Sequence, residues 1–458
     1  MKALFPLKLY KEAIADDGDA EGATTGKPPS RPYGLSLRSN FSWNLVGNVV
    51  YAGCQWGILV VLAKLTNPEM VGRFALGLAI TTPIIMLSWL HLRSIQATDI
   101  RGEYAFAQYL GLRLTTTALA LLIVVGVVLL GPYTWETAIV ILAVGLAKGF
   151  ESISDVYYGL MQRYERMDRI AKSRMIKGPL SLLVLGLLVF LTGDVFWGVI
   201  GLATTWCLLL FTYDVRNATV TQREFCPAPR GGLFTIEIMR PDFNISNLLR
   251  MTWLALPLGI GGALISLQSS IPNLFIESYW GEGKLGIFAA LAYISMAGTT
   301  IVAAMGQSAI PRLANYYFNN EIKKYKYLLI LLLGIGFFLA LGGILFAVFV
   351  GRPFLSLFYQ PEYSDHNRVF VCVMVAGGMS YIASFLNNAI TVTRNFKVYI
   401  PLMLTVIATT TVASIWLIPR FALIGAALSL ALGSFTQIIV SAIILHAVMK
   451  KHLQKVIG

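Results

Sequence analysis

Apolar runs of about 20 residues, the length that crosses a bilayer as a helix, recur along the whole chain. Twelve are read, at roughly 41–63, 71–91, 109–130, 135–158, 175–192, 195–215, 252–276, 285–310, 327–350, 369–391, 399–418 and 423–448. Short breaks separate many of them: Asn67-Pro68, Gly131-Pro132, Gly193-Asp194, Gly281-Glu282-Gly283 and Pro419-Arg420. The longest interruption, 216–251, is polar and leaves six runs on either side. The pattern predicts an all-α, multi-pass integral membrane protein with twelve transmembrane helices in two six-helix lobes. The expected divisions are a disordered tail over 1–40, a lobe over 41–215, a linker over 216–251, a lobe over 252–448 and a tail over 449–458.

The fourth run is interrupted by charge. Lys148, Glu151, Asp155, Tyr158 and Gln162 recur at steps of three or four, which stacks them on one helix face. Phe150, Ile153, Val156 and Tyr157 lie opposite. A charge at mid-bilayer costs about 2.5–3.5 kcal/mol on insertion scales, so Lys148 and Glu151 are expected to face protein or water. Two readings follow. In one, Lys148 and Glu151 are an ion pair that only helps helices pack. In the other, the stripe lines a polar transport cavity.

The halves look alike. The second run opens Gly72-Arg73-Phe74-Ala75 and the eighth opens Gly286-Ile287-Phe288-Ala289, with Ile80 and Ile294 at the same offset. Polar stripes recur as well. Asn44, Asn48, Tyr51 and Gln55 on the first run correspond to Ser266, Ser270, Asn273 and Glu277 on the seventh. The tenth run carries Ser380, Ser384, Asn387, Thr391 and Arg394. Six spans return the chain to its starting side, so this is a parallel repeat about a pseudo-two-fold axis along the membrane normal. Small polar residues also serve helix packing, which is the plainer reading of these stripes.

Composition agrees: 56% of the 458 residues are hydrophobic and 13% charged, and the mean hydropathy is +0.69. The net charge of +13 is a topology signal. With the N-terminus placed inside, 29 Lys and Arg fall on the inner side, six fall on the outer side, and Lys148 is intramembrane. The positive-inside rule then predicts both termini in the cytoplasm. No compact basic domain exists, so nucleic acid is not an expected partner. The first 35 residues hold DDGDAEG and GKPPSRP and no apolar core of signal-peptide type. Cys54, Cys207 and Cys372 sit in apolar runs and Cys226 in a polar stretch, with no disulfide or metal spacing. There is no P-loop, HExxH or GxSxG motif, and His91, His366, His446 and His452 are scattered. The short outer connections leave little room for a catalytic constellation. An enzyme is not expected.

Several strings point to a family. Leu92-Arg93-Ser94-Ile95-Gln96-Ala97-Thr98-Asp99, then Glu103-Tyr104 and Tyr109-Leu110-Gly111-Leu112-Arg113, form one. Glu151-Ser152-Ile153-Ser154-Asp155, Tyr158-Gly159-Leu160-Met161-Gln162, Arg166-Met167-Asp168 and Lys177-Gly178 form another. Ile271-Pro272, Leu285-Gly286-Ile287-Phe288-Ala289-Ala290 and Gln307-Ser308-Ala309-Ile310-Pro311-Arg312-Leu313-Ala314 add a third. Over about 40–450 the chain resembles the polysaccharide transporter (O-antigen flippase) family of the multidrug/oligosaccharidyl-lipid/polysaccharide exporter superfamily. Asn273 departs from the basic residue found there in many relatives, so the seventh helix is not expected to supply a cation.

The resemblance implies a flippase for a lipid-linked, undecaprenyl-pyrophosphate oligosaccharide in a bacterial cytoplasmic membrane, working by alternating access for surface polysaccharide assembly. Its partners would be that lipid, membrane lipids and the assembly machinery. No cofactor is expected beyond H⁺ or Na⁺ coupling. A dianionic pyrophosphate needs cations and a glycan needs hydroxyl or amide partners. Lys148 is a candidate intramembrane cation, and Arg93 and Arg113 are candidates to attract the headgroup. Asn44, Asn48, Gln55, Gln162 and Asn387 are candidates for sugar hydroxyls, and Glu151 and Asp155 for ion coupling. The rival readings are a cation-coupled drug exporter of the same superfamily, a relative handling a peptidoglycan precursor, a polymerase or ligase of glycan assembly, and a scaffold.

Overall fold

The structure is a computed structural model that describes residues 35, 37–99, 103–225, 240–393 and 398–457. Most of the predicted tail over 1–40 therefore lies outside the described residues, as do Arg101, Arg394, Lys397 and Cys226. The described regular elements are helices. They are α1 (Leu37–Leu65), α2 (Pro68–Trp89), α3 (Leu92–Thr98), α4 (Phe106–Leu130), α5 (Trp135–Arg163) and α6 (Met167–Thr192). Next come α7 (Val195–Leu209), a π turn over Leu210–Asp214 and α8 (Val215–Phe225). The rest are α9 (Ile245–Phe318), α10 (Ile322–Phe349), α11 (Gly351–Phe358), α12 (Pro361–Ser364), α13 (Asn367–Val392) and α14 (Tyr399–Ile457).

Ten helical stretches are long and apolar enough to cross a membrane. Two of them are double. α9 breaks at Gly281 (φ 76°, ψ 177°) and α14 at Ala422 (φ 48°, ψ −125°), so the described chain makes twelve passes. The breaks read from sequence are where helices turn. Asn67 caps α2 through the Met70 amide with Pro68 in the first turn, and Thr134 and Asp194 cap α5 and α7. At the end rich in Lys and Arg, helices outrun the apolar pattern. The linker expected over 216–251 is helical to Phe225 and again from Ile245, with 226–239 outside the described residues. α14 likewise continues through the tail expected from 449.

Ala422 sits in the backbone region of the first central residue of a type II′ turn, where glycine is the usual occupant. Such strain costs on the order of 1–3 kcal/mol. Ala422→Gly is expected to raise the thermal midpoint in detergent by about 1–3 °C; a fall would contradict the strain.

α5 is the centre of the first lobe, packed against α2, α4 and α7, while α1 lies along α6. α9 bridges the lobes: it packs on α2 in the first and on α13 and α14 in the second. At the end away from the Lys and Arg, α2 and the second half of α9 cross. A Cβ on Gly72 would overlap the carbonyl of Glu282, and one on Gly286 would overlap that of Pro68. The two glycines that matched in the sequence repeat thus let the backbones touch. Arg73 clamps the crossing, reaching Glu136 at 2.6 Å and Glu282 at 2.9 Å, and Thr137 also donates to Glu282. Trp56 on α1 donates to the Tyr359 hydroxyl at 3.0 Å, tying α1 to the α11–α12 cover. At the basic end Leu248, Met251 and Ala255 of α9 enter a core formed by Leu90 with residues of α3–α6, the π turn and α8. The Asp242 amide donates to Ala107 at 2.9 Å over Gly111.

Candidate functional site

The polar face of α5 meets a partner at every turn. The 15 residues from Lys148 to Gln162 span about 21 Å, from the middle of the helix to the basic end. Lys148 and Glu151 form a 2.8 Å pair one turn apart, each about one-fifth exposed (21% and 20%). Tyr51 on α1 donates to Glu151 at 3.2 Å, and the Lys148 ammonium stands 5.6 Å from the Trp206 ring centroid. Tyr293, on the second half of α9, lies within electrostatic range of both. This pair faces the second lobe through Tyr293, away from the Arg73–Glu282 clamp.

One turn nearer the basic end, Asp155 is clasped twice. Arg113 of α4 holds it at 3.1 Å and also reaches Ser152 at 3.5 Å. Arg93 of α3 approaches it at 3.5 Å while its Nε donates to Gln162 at 2.8 Å. Arg113 has 0% exposure, so it is not placed to meet an arriving headgroup; its charge is committed to Asp155. Arg93, 19% exposed, retains an open side. Asp155 likewise shares its charge with two guanidiniums, a less open position for ion coupling than that of Glu151.

Further along, Tyr158 is surrounded by cations. The Arg93 and Arg174 guanidinium carbons each lie 5.7 Å from its ring centroid, and the Lys177 ammonium lies at 5.4 Å. Lys177 donates to Ser154 and to the Tyr158 hydroxyl, both at 3.1 Å, and pairs with Asp214 at 3.4 Å. Ser173 bonds Asp214 at 2.5 Å and the Tyr158 hydroxyl at 2.7 Å, closing a ring. The π turn over Leu210–Asp214 ends on the aspartate; such single turns re-aim side chains and recur at functional sites.

Asn44 and Asn48 are joined at 3.2 Å on α1, and Asn48 accepts from Arg174. Gln55 is half-buried a turn beyond Tyr51. Asn387 stands apart on α13 in the second lobe, beside Tyr399. The structure thus gathers nine of the ten predicted residues on the first lobe, Gln55 most loosely, and leaves Asn387 outside. Arg174, Lys177 and Asp214 escaped the sequence reading. The signal was present: Lys177 and Asp214 fall inside the apolar runs at 175–192 and 195–215. At the basic rim, Arg166 chelates Asp168 at 3.0 and 3.2 Å and Glu224 at 2.7 Å, and the bonds to Asp168 push its guanidinium pKa up.

Among the described residues no cluster of His, Cys, Asp and Glu has metal-ligand geometry. The interior group of Lys148, Arg93, Arg113, Arg174 and Lys177 faces Glu151, Asp155 and Asp214. Five cations against three carboxylates leave an excess of two positive charges, arranged to hold an anion.

Comparison with known proteins fits this architecture. The family described as polysaccharide biosynthesis protein matches residues 37–317. The capsular polysaccharide biosynthesis protein CapF of Staphylococcus aureus is 28% identical over 403 residues, which is 87% of this chain and 97% of that one. The lipid II flippase MurJ in an inward closed conformation superposes with a TM-score of 0.70 at 12% identity, covering 91% of this chain and 90% of that one. An inward-facing multidrug resistance MATE family transporter of the MOP superfamily gives 0.63 at 15% identity, over 89% and 96%. These structural likenesses carry the fold: twelve membrane helices in two lobes.

Proposed function

This chain belongs to the polysaccharide biosynthesis protein family, and we propose that within it the protein flips a lipid-linked oligosaccharide across the cytoplasmic membrane. The fold is shared with solved transporters, which supports a transport role. The substrate class is a prenyl pyrophosphate bearing a glycan for surface polysaccharide, in keeping with the capsular glycan named for its relative. The basic end faces the cytoplasm with both termini. Assembly enzymes outside the membrane receive the product.

The observation that carries the reading is the excess of two cations inside the first lobe. Uncompensated charge within a membrane is costly and marks a substrate path. A pyrophosphate diester brings two negative charges and cannot cross hydrocarbon unaided. Asn44, Asn48, Gln162 and, across the lobes, Asn387 supply amides for sugar hydroxyls. Rocking of the lobes carries the headgroup from one face to the other. A cation-coupled drug exporter is the second reading, favoured by the MATE likeness. The same charge excess opposes it, because it would repel a cationic drug.

Purified protein in proteoliposomes is expected to move a fluorescent prenyl-pyrophosphate oligosaccharide and not ethidium. Ethidium efflux without lipid movement would establish the drug reading instead. Glu151 has Lys148 as its sole ion-pair partner among the described residues, so it is the carboxylate proposed to exchange H⁺ or Na⁺. Glu151→Gln is expected to abolish stimulation by an ion gradient while basal movement persists. Unchanged gradient dependence would remove Glu151 from coupling.

A further inference from the structure

We propose that Arg93 and Arg174, both held against the Tyr158 ring, form the seat for a pyrophosphate group, and that Asp155 is the resident counter-ion the ligand displaces from Arg93. The inference rests on the flippase reading and deepens it, since that reading leaves open which cations take the phosphates.

Charge alone does not single out these two arginines; their commitments do. Lys148 is already matched by Glu151 one turn away. Lys177 is 2% exposed and matched by Asp214, which is 0% exposed. Arg113 is fully buried on Asp155. Arg174 has no carboxylate partner among the described residues: it meets the Asn48 side-chain oxygen and the Tyr158 ring. Arg93 has only the longer share of Asp155, at 3.5 Å against 3.1 Å for Arg113. The two guanidiniums lie within electrostatic range of each other, a like-charge arrangement that costs energy until an anion sits between them.

Geometry supports the same pair. Each guanidinium carbon is 5.7 Å from one ring centroid, so they are no more than about twice that distance apart. Two linked phosphates with a charge-assisted hydrogen bond at each end span such a gap. The ring of Tyr158, nearly buried itself, holds both cations by their attraction to its π face. Tyr158 is therefore a positioning residue. Its hydroxyl is fixed by Ser173 and Lys177, which sets the plane of the ring. The seat lies ten residues from Lys148 along α5, about 15 Å nearer the basic end. It is a loading station, with the Lys148–Glu151 pair beyond it.

The test is binding of radiolabelled inorganic pyrophosphate to the full chain in nanodiscs. Arg174→Gln is expected to weaken binding roughly ten- to a hundredfold, the value of a charge-assisted hydrogen bond. Asp155→Asn is expected to tighten it several-fold by releasing Arg93, a direction that general destabilisation does not produce. Tyr158→Leu weakens binding about tenfold, while Tyr158→Phe, which keeps the ring, changes it far less. Lys324→Gln, on an exposed side chain paired with Glu321, leaves binding unchanged. Elution profile and melt are recorded for each variant; Arg174→Gln, at a half-buried site, decides the matter should Asp155→Asn, which also strips the buried Arg113 of its partner, not fold. No pyrophosphate binding to the native chain, or Arg174→Gln without effect, would overturn the seat. Nanodiscs of phosphatidylcholine and of phosphatidylglycerol distinguish the source of phosphate: abolition by phosphatidylglycerol makes this a lipid-headgroup site and overturns the assignment. The binding pattern with no flipping of any lipid-linked oligosaccharide would keep the seat and remove the flippase reading. Flipping without the pattern does the reverse.

Discussion

Gly72→Val is expected to hold the lobes apart at the end remote from the basic face and to reduce transport on the order of tenfold or more. The cause is a backbone contact. The side chain would be driven into the carbonyl of Glu282, in a segment that Arg73 and Thr137 also fasten. A flexible neighbour could swing away; a carbonyl in a clamped turn cannot without moving the whole crossing. Gly286→Val, against Pro68, is expected to act alike, whereas Gly334→Ala meets nothing within 4 Å and is expected to be silent. The readout is the labelling rate of Ile287→Cys by an impermeant thiol reagent, in a chain lacking Cys54, Cys207, Cys226 and Cys372. Ile287 is buried at the crossing, so labelling is slow in the parent. Gly72→Val accelerates it. Equal rates would show that the crossing is not a point of closure.

Lys177→Ala is expected to be the most destabilising single truncation in the first lobe. It strands the Asp214 carboxylate, fully buried, with Ser173 as its remaining partner. Removing one member of a buried pair costs about 3–5 kcal/mol, since the remaining charge has no water to return to. A fall on the order of 3–5 °C in the thermal midpoint is the expected result. Lys177→Met combined with Asp214→Leu is expected to recover most of it, because an apolar pair carries no desolvation penalty. An unchanged midpoint for Lys177→Ala would mean that water or another cation reaches Asp214.

How much of this was legible before the fold depended on range. The twelve runs and their turns were, because a bilayer demands about 20 apolar residues per pass and Asn67-Pro68 or Gly193-Asp194 cannot continue a helix. The Lys148–Glu151 pair was legible too, being local to one helix. Gly72 and Gly286 were visible as matching positions, but their role is a contact between segments 214 residues apart, which no periodicity reveals. Arg174 and Lys177 were counted as inner-side charges and Asp214 was not weighed; only the packing of α5, α6 and the π turn brings the three together. Arg113 was read as a surface cation for the same reason. Asn387 was read from the polar stripe of the tenth run, and α13 keeps it in the second lobe, apart from the first lobe's amides.

In the proposed function, intramembrane positive charge in the first lobe recognises an anionic lipid carrier. The most direct measurement compares two substrates in the same proteoliposomes: one fluorescent oligosaccharide on a prenyl pyrophosphate, and the identical oligosaccharide on an uncharged prenyl ether. Translocation of the pyrophosphate-linked form, with the ether-linked form left in its original leaflet, is the predicted result. Equal movement of both would show that the glycan or the tail is recognised and that the cations serve only to hold the helices together.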